Sequence, residues 1–323
     1  MKNKEQIERI KSGLIGFAVG DALGVPIEFT KREKLQINKV TAMLEYRSHN
    51  VPKGSWSDDT SLIIATIEGI IKKENEIDYN LILEEFINWA DRGEYCSNDK
   101  PFGIGRTTLR SLYLFKMGYD YSKCGQNKIS DNGNGSLMRI LPIAYYCYYI
   151  KMENKEIYKL VKNISELTHS HEISILGCYI YTIFIIAILN GKSKEKAYEI
   201  IRRENYSMFN AHIINKYKRI LKIDIRSLSM NDISSQGFII DTLEAVLWCF
   251  LKQETYKSTI IEVINLGNDT DTIGALTGGI SGIYYGYKSI PTQWINDLKR
   301  KNYLLELCNR FHNYLMQLKN SKI

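Results

Sequence analysis

Apolar residues recur at helical spacing in one segment after another of this chain, and no stretch shows the strict apolar/polar alternation of a half-buried strand. The pattern covers residues near 5–20, 59–74, 79–91, 104–118, 136–149, 155–167, 171–190, 194–205, 236–252, 257–265, 271–285 and 297–318. Asp78 and Ser193 stand where helices start, and Gly93, Gly118 and Gly191 where they stop. The expectation is an all-α, many-helix bundle without a solenoid repeat. With 323 residues, 44% of them hydrophobic, the chain can bury a large core. Its five prolines form no linker and no charge block marks a boundary, so one domain over 1–323 is expected.

Ile173 to Leu189 is almost unbroken apolar sequence, close to the lower limit for a membrane span. It contains Ser174, Tyr179, Tyr181 and Thr182 and is flanked by amphipathic patterns, which favours a central core helix over a membrane segment. The charged start, Met1-Lys2-Asn3-Lys4-Glu5-Gln6, lacks the apolar stretch of a signal peptide, and a cytoplasmic protein is expected. Six cysteines without a CxxC pair fit reduced core thiols. The net charge of +7 suits an anionic ligand or reflects composition alone; its basic residues are scattered, which argues against nucleic acid.

Against this background two acidic runs stand out, Ser57-Asp58-Asp59-Thr60 and Asp269-Thr270-Asp271-Thr272. Both precede a helical pattern, where one Asp serves as a cap; capping does not need two. Carboxylates beside hydroxyls, with no His or Cys adjacent, suit a hard divalent ion, and four clustered carboxylates would repel one another unless about two ions lay between them. Glycine also concentrates in Gly13 to Gly24 and Gly274 to Gly286, which implies close helix packing or backbone approaching a ligand; Gly274, Ala275, Gly278, Gly279 and Gly282 fit tight packing best. The runs Gly103-Ile104-Gly105 and Gly133-Asn134-Gly135-Ser136 are either ligand loops or ordinary tight turns.

Five motifs then follow in a recognisable order. They are Gly16-Phe17-Ala18-Val19-Gly20-Asp21-Ala22-Leu23-Gly24-Val25-Pro26-Ile27-Glu28-Phe29, Trp56-Ser57-Asp58-Asp59-Thr60, Gly133-Asn134-Gly135-Ser136-Leu137-Met138-Arg139, Thr168-His169-Ser170-His171 and Gly267-Asn268-Asp269-Thr270-Asp271-Thr272-Ile273-Gly274. The series resembles the ADP-ribosylglycohydrolase family over roughly residues 10 to 290.

The resemblance implies an all-α domain that holds two Mg²⁺ or Mn²⁺ ions and cleaves ADP-ribose from a modified protein or small-molecule acceptor, by default ADP-ribosyl-arginine. It implies metal ligands at Ser57, Asp58, Asp59, Asp269, Asp271 and Thr272, and catalytic roles for Glu28, Asp58 and Asp269. It also implies substrate contacts at Gly103, Ile104, Gly105, Gly133, Asn134, Gly135, Ser136 and His169. Asp21 is read as structural, capping or pairing locally; His169 and His171 stay open between nucleotide contact and a helix-start role, and Arg139 between a phosphate and an internal salt bridge. Some family members carry Asp in a Phe-Asp-Ile-Gly run where this chain has Gly103, which puts a mechanism using that Asp as base in doubt.

Two rivals remain at this level. A class I terpene synthase also uses Asp-rich helices, and Asn231-Asp232 begins like its second motif, but Ile239 and Leu62 stand where two of its acids belong. A catalytically altered relative, acting as a binding or immunity protein against an ADP-ribosyltransferase, is the other.

Overall fold

A computed structural model describes residues 3–321. Sixteen α-helices follow one another: α1 (Asn3–Gly24), α2 (Arg32–Ile37), α3 (Asp58–Ile71), α4 (Tyr79–Arg92), α5 (Arg106–Lys116), α6 (Leu141–Ile150), α7 (Asn154–Glu166), α8 (Glu172–Leu189), α9 (Lys194–Arg203), α10 (Ala211–Lys216), α11 (Lys218–Leu221), α12 (Ile239–Lys252), α13 (Tyr256–Ile264), α14 (Thr270–Tyr285), α15 (Thr292–Asp297) and α16 (Lys301–Ser321). Among the described residues there is no strand, only two isolated bridges, Gln126 to His169 and Gly133 to Phe238. The all-α expectation holds.

The chain ends its helices as the sequence suggested. Asp78 accepts from Asn80 N (3.0 Å), Ser193 from Lys196 N (3.3 Å), and Gly93 closes α4 with φ 69°. Four helices were not foreseen: α2, α10, α11 and α15 have only four to six residues, too few to display a 3.6-residue period. The helix expected over 136–149 begins only at Leu141, because Asn134–Ser136 form a separate 3₁₀ turn and Pro142 occupies the first turn of α6, where no N–H is required. The last helix likewise starts at Lys301 rather than 297, since Thr292–Asp297 form α15.

Helix α8 is apolar on every side because α6, α7, α9, α12 and α14 all pack against it. Helices α1 and α8 have the length and composition of membrane spans, yet their apolar stretches are 94% and 89% buried inside the fold. All six cysteines are free and buried.

What positions the site is the antiparallel pair α1 and α14. Gly16, Gly20 and Gly24 face Gly278, Gly274 and Thr270 in turn, so the backbones themselves touch. A Cβ added at Gly20 would lie 2.0 Å from the Gly274 carbonyl oxygen, with backbone on both sides and no side chain to give way. Thr270 Oγ1 donates to Gly24 O (2.8 Å), which ties the start of α14 to the end of α1. Gly20→Ala is therefore expected to destabilise the fold by at least about 2 kcal/mol through overpacking, measured by urea unfolding.

Candidate active site

The two acidic runs meet. Ser57 is the N-cap of α3, its hydroxyl accepting from Asp59 N (3.2 Å) and facing Asp59 Oδ2 (3.1 Å). Thr272, in the first turn of α14, donates to that same Asp59 oxygen (3.2 Å) across 213 residues of sequence. Asp269 stands at the N-cap position of α14 and Asp271 in its first turn.

Glu28 joins them from the end of α1. Its carboxylate and those of Asp269 and Asp271 offer oxygens that all lie within 4.8 Å of one another. Two turns are stitched together to achieve this: Phe29 N donates to Asn268 O (2.6 Å) and Asn268 N to Thr30 O (2.9 Å), with Phe29 and Asn268 both at positive φ (63° and 61°). Arg32 clamps the same region, donating to the carbonyls of Leu266 (2.8 Å), Met230 (2.7 Å) and Ile233 (2.6 Å). Asn134 Nδ2 donates to Asp269 Oδ2 (2.5 Å) and orients it.

Crowding so many acids in a buried place has an electrostatic cost. Burial first, and then the charge of Asp271, hold Asp58, Asp59 and Asp269 well above the usual carboxylate range. The same causes raise Glu28 to about 9 and Asp21 to about 7, the latter despite hydrogen bonds that favour its charged form. Asp271 is itself raised by burial. Asp59 Oδ1 is buried without any partner. An all-oxygen donor set, mutual repulsion and an orphaned carboxylate oxygen fit a hard divalent cation.

Asp21 does not pair locally. It is fully buried on α1 and caps a different helix, accepting from Ser57 N (3.0 Å), Thr60 N (3.0 Å) and Thr60 Oγ1 (2.6 Å) at the start of α3. Its task is to aim the Asp58-Asp59 turn, which makes its structural role a long-range one.

A cleft of about 320 Å³ opens over these carboxylates, lined by Glu28, Asp58, Asp59, Asp269, Asp271 and Thr272, by Gly103, Gly105, Gly133, Asn134 and Gly135, and by His169. Three other expected site residues lie behind this wall. Ser57 is turned to Asp59, Ile104 packs against the core, and Ser136 is buried with its hydroxyl between Ser165 (3.0 Å) and Cys178 (3.4 Å). His171 caps α8, accepting from Ile173 N (3.2 Å). Arg139 makes no salt bridge among the described residues: it is wholly buried and donates to Ile164 O and Thr168 Oγ1. A larger groove of about 480 Å³, bordered by Gln6, Tyr149, Lys151 and Lys319, gathers no carboxylate.

Gly103 has a local reason. Its φ is +91°, and a Cβ there would lie 2.2 Å from Asp58 Oδ1. In this geometry any side chain at 103 meets the Asp58 carboxylate, so Gly103→Ala is expected to cost about 1–2 kcal/mol in backbone strain and to displace Asp58. Isothermal titration with Mg²⁺ should register the displacement as weaker binding; unchanged affinity would show that residue 103 does not bear on Asp58.

Sequence reasoning missed His49 and the start of α5. His49 Nε2 contacts Glu28 Oε2, and its ring lies 4.9 Å from that of Phe102 and 6.2 Å from that of Phe29. No spacing rule links residue 49 to residue 28, so nothing in the sequence marks it. Arg106, Thr107 and Thr108 also line the cleft, because α5 starts there with Gly105 as its cap. Asn231 and Asp232 are exposed on a 3₁₀ turn, where Asp232 bonds Ser229, and they do not line the cleft, as the terpene synthase reading would require.

The comparisons with known proteins bear on the fold and the family. A 23% identical solved structure, described as an ADP-ribosylglycohydrolase-related protein complex, superposes with a TM-score of 0.80 over 98% of this chain and 99% of its own, and shares the fold. The chain is similar to ADP-ribosylarginine hydrolase Tri1 of Serratia proteamaculans (strain 568), 29% identical over 95% of this chain and 79% of that protein. It is also similar to ADP-ribosyl-[dinitrogen reductase] glycohydrolase of Rhodospirillum rubrum, 27% identical over 91% of each, and to ADP-ribosylhydrolase ARH3 of Bos taurus, 22% identical over 89% and 88%. Because the ADP-ribosylglycohydrolase family model matches residues 2–320, essentially the whole fold that brings the two acidic turns together, the chain belongs to that family of hydrolases.

Proposed function

We propose that this protein releases ADP-ribose from a modified acceptor by metal-dependent hydrolysis at the anomeric carbon of the distal ribose, and that ADP-ribosyl-arginine on protein is its substrate. The observation that carries the reading is the convergence of Asp59, Thr272, Asp269, Asp271 and Glu28 beneath one cleft. Asp58, Asp59, Asp269, Asp271 and Thr272 would hold two Mg²⁺ or Mn²⁺ ions. Bound ions of this kind neutralise clustered carboxylates, orient ribose hydroxyls and lower the pKa of water.

The side chains supply the rest. Cleavage at the anomeric carbon builds oxocarbenium-like charge on the sugar, which the carboxylates of Asp58 and Asp269 stabilise from the cleft floor. Ionised Glu28 takes the proton of the attacking water at its Oε and returns it to the departing acceptor nitrogen as the bond to the anomeric carbon breaks, with His49 against the same carboxylate. The turns at Gly103 to Gly105 and Gly133 to Gly135 bring backbone close to the cleft, and α5 begins there, an arrangement suited to a diphosphate. The name of the Serratia relative supports arginine as the acceptor.

The test is a panel of arginine-, serine- and nucleic-acid-linked ADP-ribose conjugates incubated with Mg²⁺. Release from arginine conjugates is expected. Release from serine conjugates alone would overturn the acceptor, and no metal-dependent release from any conjugate would favour the binding-protein reading. The motive for that alternative is Gly103, and the room its missing Cβ leaves for the Asp58 carboxylate supports the hydrolase reading.

A further inference from the structure

Arg139 is a wholly buried guanidinium that no carboxylate among the described residues neutralises. Its Nη2 donates to Ile164 O (3.0 Å) and Thr168 Oγ1 (2.8 Å), its Cζ lies 4.8 Å from the Phe86 ring centroid, and Nε and Nη1 have no partner. A buried charge held this incompletely is costly, and packing alone does not call for it.

The next bond in the chain suggests what it does. Thr168 Oγ1 lies 2.8 Å from His169 Nδ1. A guanidinium has only donors, so the Thr168 oxygen accepts from Arg139, and among the described residues His169 Nδ1 is the acceptor in reach of its single hydrogen. Nδ1 is then the acceptor, and the ring hydrogen of neutral His169 sits on Nε2. That nitrogen faces the glycine turn of the cleft: a Cβ at Gly135 would lie 3.2 Å from it, and one at Gly133 3.9 Å. The His169 backbone is also held, its N donating to Ser165 O (2.7 Å) and its O accepting from Ser165 Oγ (2.9 Å).

We infer that Arg139 and Thr168 are positioning residues that hold His169 in one neutral tautomer and direct its Nε2–H into the cleft as a donor to an acceptor oxygen of the ligand. Protonation at Nδ1 is opposed twice. A hydrogen on Nδ1 would leave the buried Thr168 hydroxyl hydrogen without its acceptor, and a doubly protonated ring would also place a second cation beside the guanidinium. Burial, and then Arg139, accordingly lower the His169 pKa to about 3. The donor therefore persists across the physiological range, where an ordinary histidine would change charge. The ligand half of the inference rests on the proposed function; the tautomer half does not.

Nitrogen NMR on [¹⁵N]histidine-labelled protein tests the relay without substrate, His169 being assigned by its absence in His169→Gln. The expected spectrum has Nδ1 bare and Nε2 protonated, unchanged from about pH 5 to 8. Thr168→Val should mix the tautomers and weaken free ADP-ribose about tenfold by calorimetry, the size of one lost hydrogen bond, and Thr168→Ser should restore both. A protonated Nδ1, or a ring that titrates in that range, in the unaltered protein overturns the relay. A Thr168→Val spectrum that changes while ADP-ribose affinity does not overturns the ligand half. No binding of ADP-ribose by the unaltered protein overturns the functional reading instead, and the spectrum still decides the relay.

Discussion

Asp271→Asn is expected to lower kcat/KM for metal-dependent release of ADP-ribose by at least about a hundredfold while raising the thermal stability of the metal-free protein. Both halves follow from one position. After burial, the charge of Asp271 is the largest cause raising Asp58, Asp59, Asp269, Glu28 and Asp21. Neutralising it relieves five neighbours at once in the absence of metal and removes a donor that the bound cation needs. The helix start survives, because the oxygen of Asn can still accept from Thr272 N, a bond of 2.9 Å to Asp271. Steady-state kinetics across Mg²⁺ concentrations, with thermal melts in EDTA, measure the two halves. A variant that keeps both activity and its stabilisation by Mg²⁺ would remove Asp271 from the site.

The second large effect concerns pH. A carboxyl with a raised folded-state pKa binds more protons folded than unfolded, so the metal-free fold loses stability as pH rises from the unfolded toward the folded value. The window runs from 3.8 to about 7 for Asp21 and from 4.5 to about 9 for Glu28. In EDTA the melting temperature is expected to fall between about pH 5 and 8. Mg²⁺ should reverse this and stabilise more at the higher pH, where the ligands ionise and no protons compete. At a hundredfold excess over Kd the gain is about 2.7 kcal/mol, or roughly 5 °C for a chain this long. A melting temperature that rises with pH in EDTA, or a Mg²⁺ shift independent of pH, would show that the acids are not crowded as the geometry requires.

Which residues were legible beforehand follows from the range of the interactions involved. Asp58, Asp59, Asp269 and Asp271 were visible because each sits at the start of a helix whose period is written in the residues after it. The small residues at Gly274, Gly278 and Gly282 pointed to close packing, while the glycines of Gly13 to Gly24 left packing and a ligand both open until the structure set Gly16 and Gly20 against them. Short helices such as α10 and α11 left no periodic trace. Arg139 showed its charge in the sequence but not its surroundings, so a phosphate or an acid was expected where the fold supplies a carbonyl, a hydroxyl and the Phe86 ring.

The sequence by itself determined the helical class, most helix ends and the inventory of acids, since these depend on neighbours three or four residues apart. Only the tertiary structure decided that Glu28 joins Asp269 and Asp271, that Asp21 caps α3 from α1, that His49 lies against Glu28, and that Gly103 makes room for Asp58. Glu28 meets Asp269 and Asp271 where α1 and α14 close backbone to backbone, and the other pairs also join segments well separated in sequence; such contacts depend on packing in three dimensions, to which local spacing gives no guide.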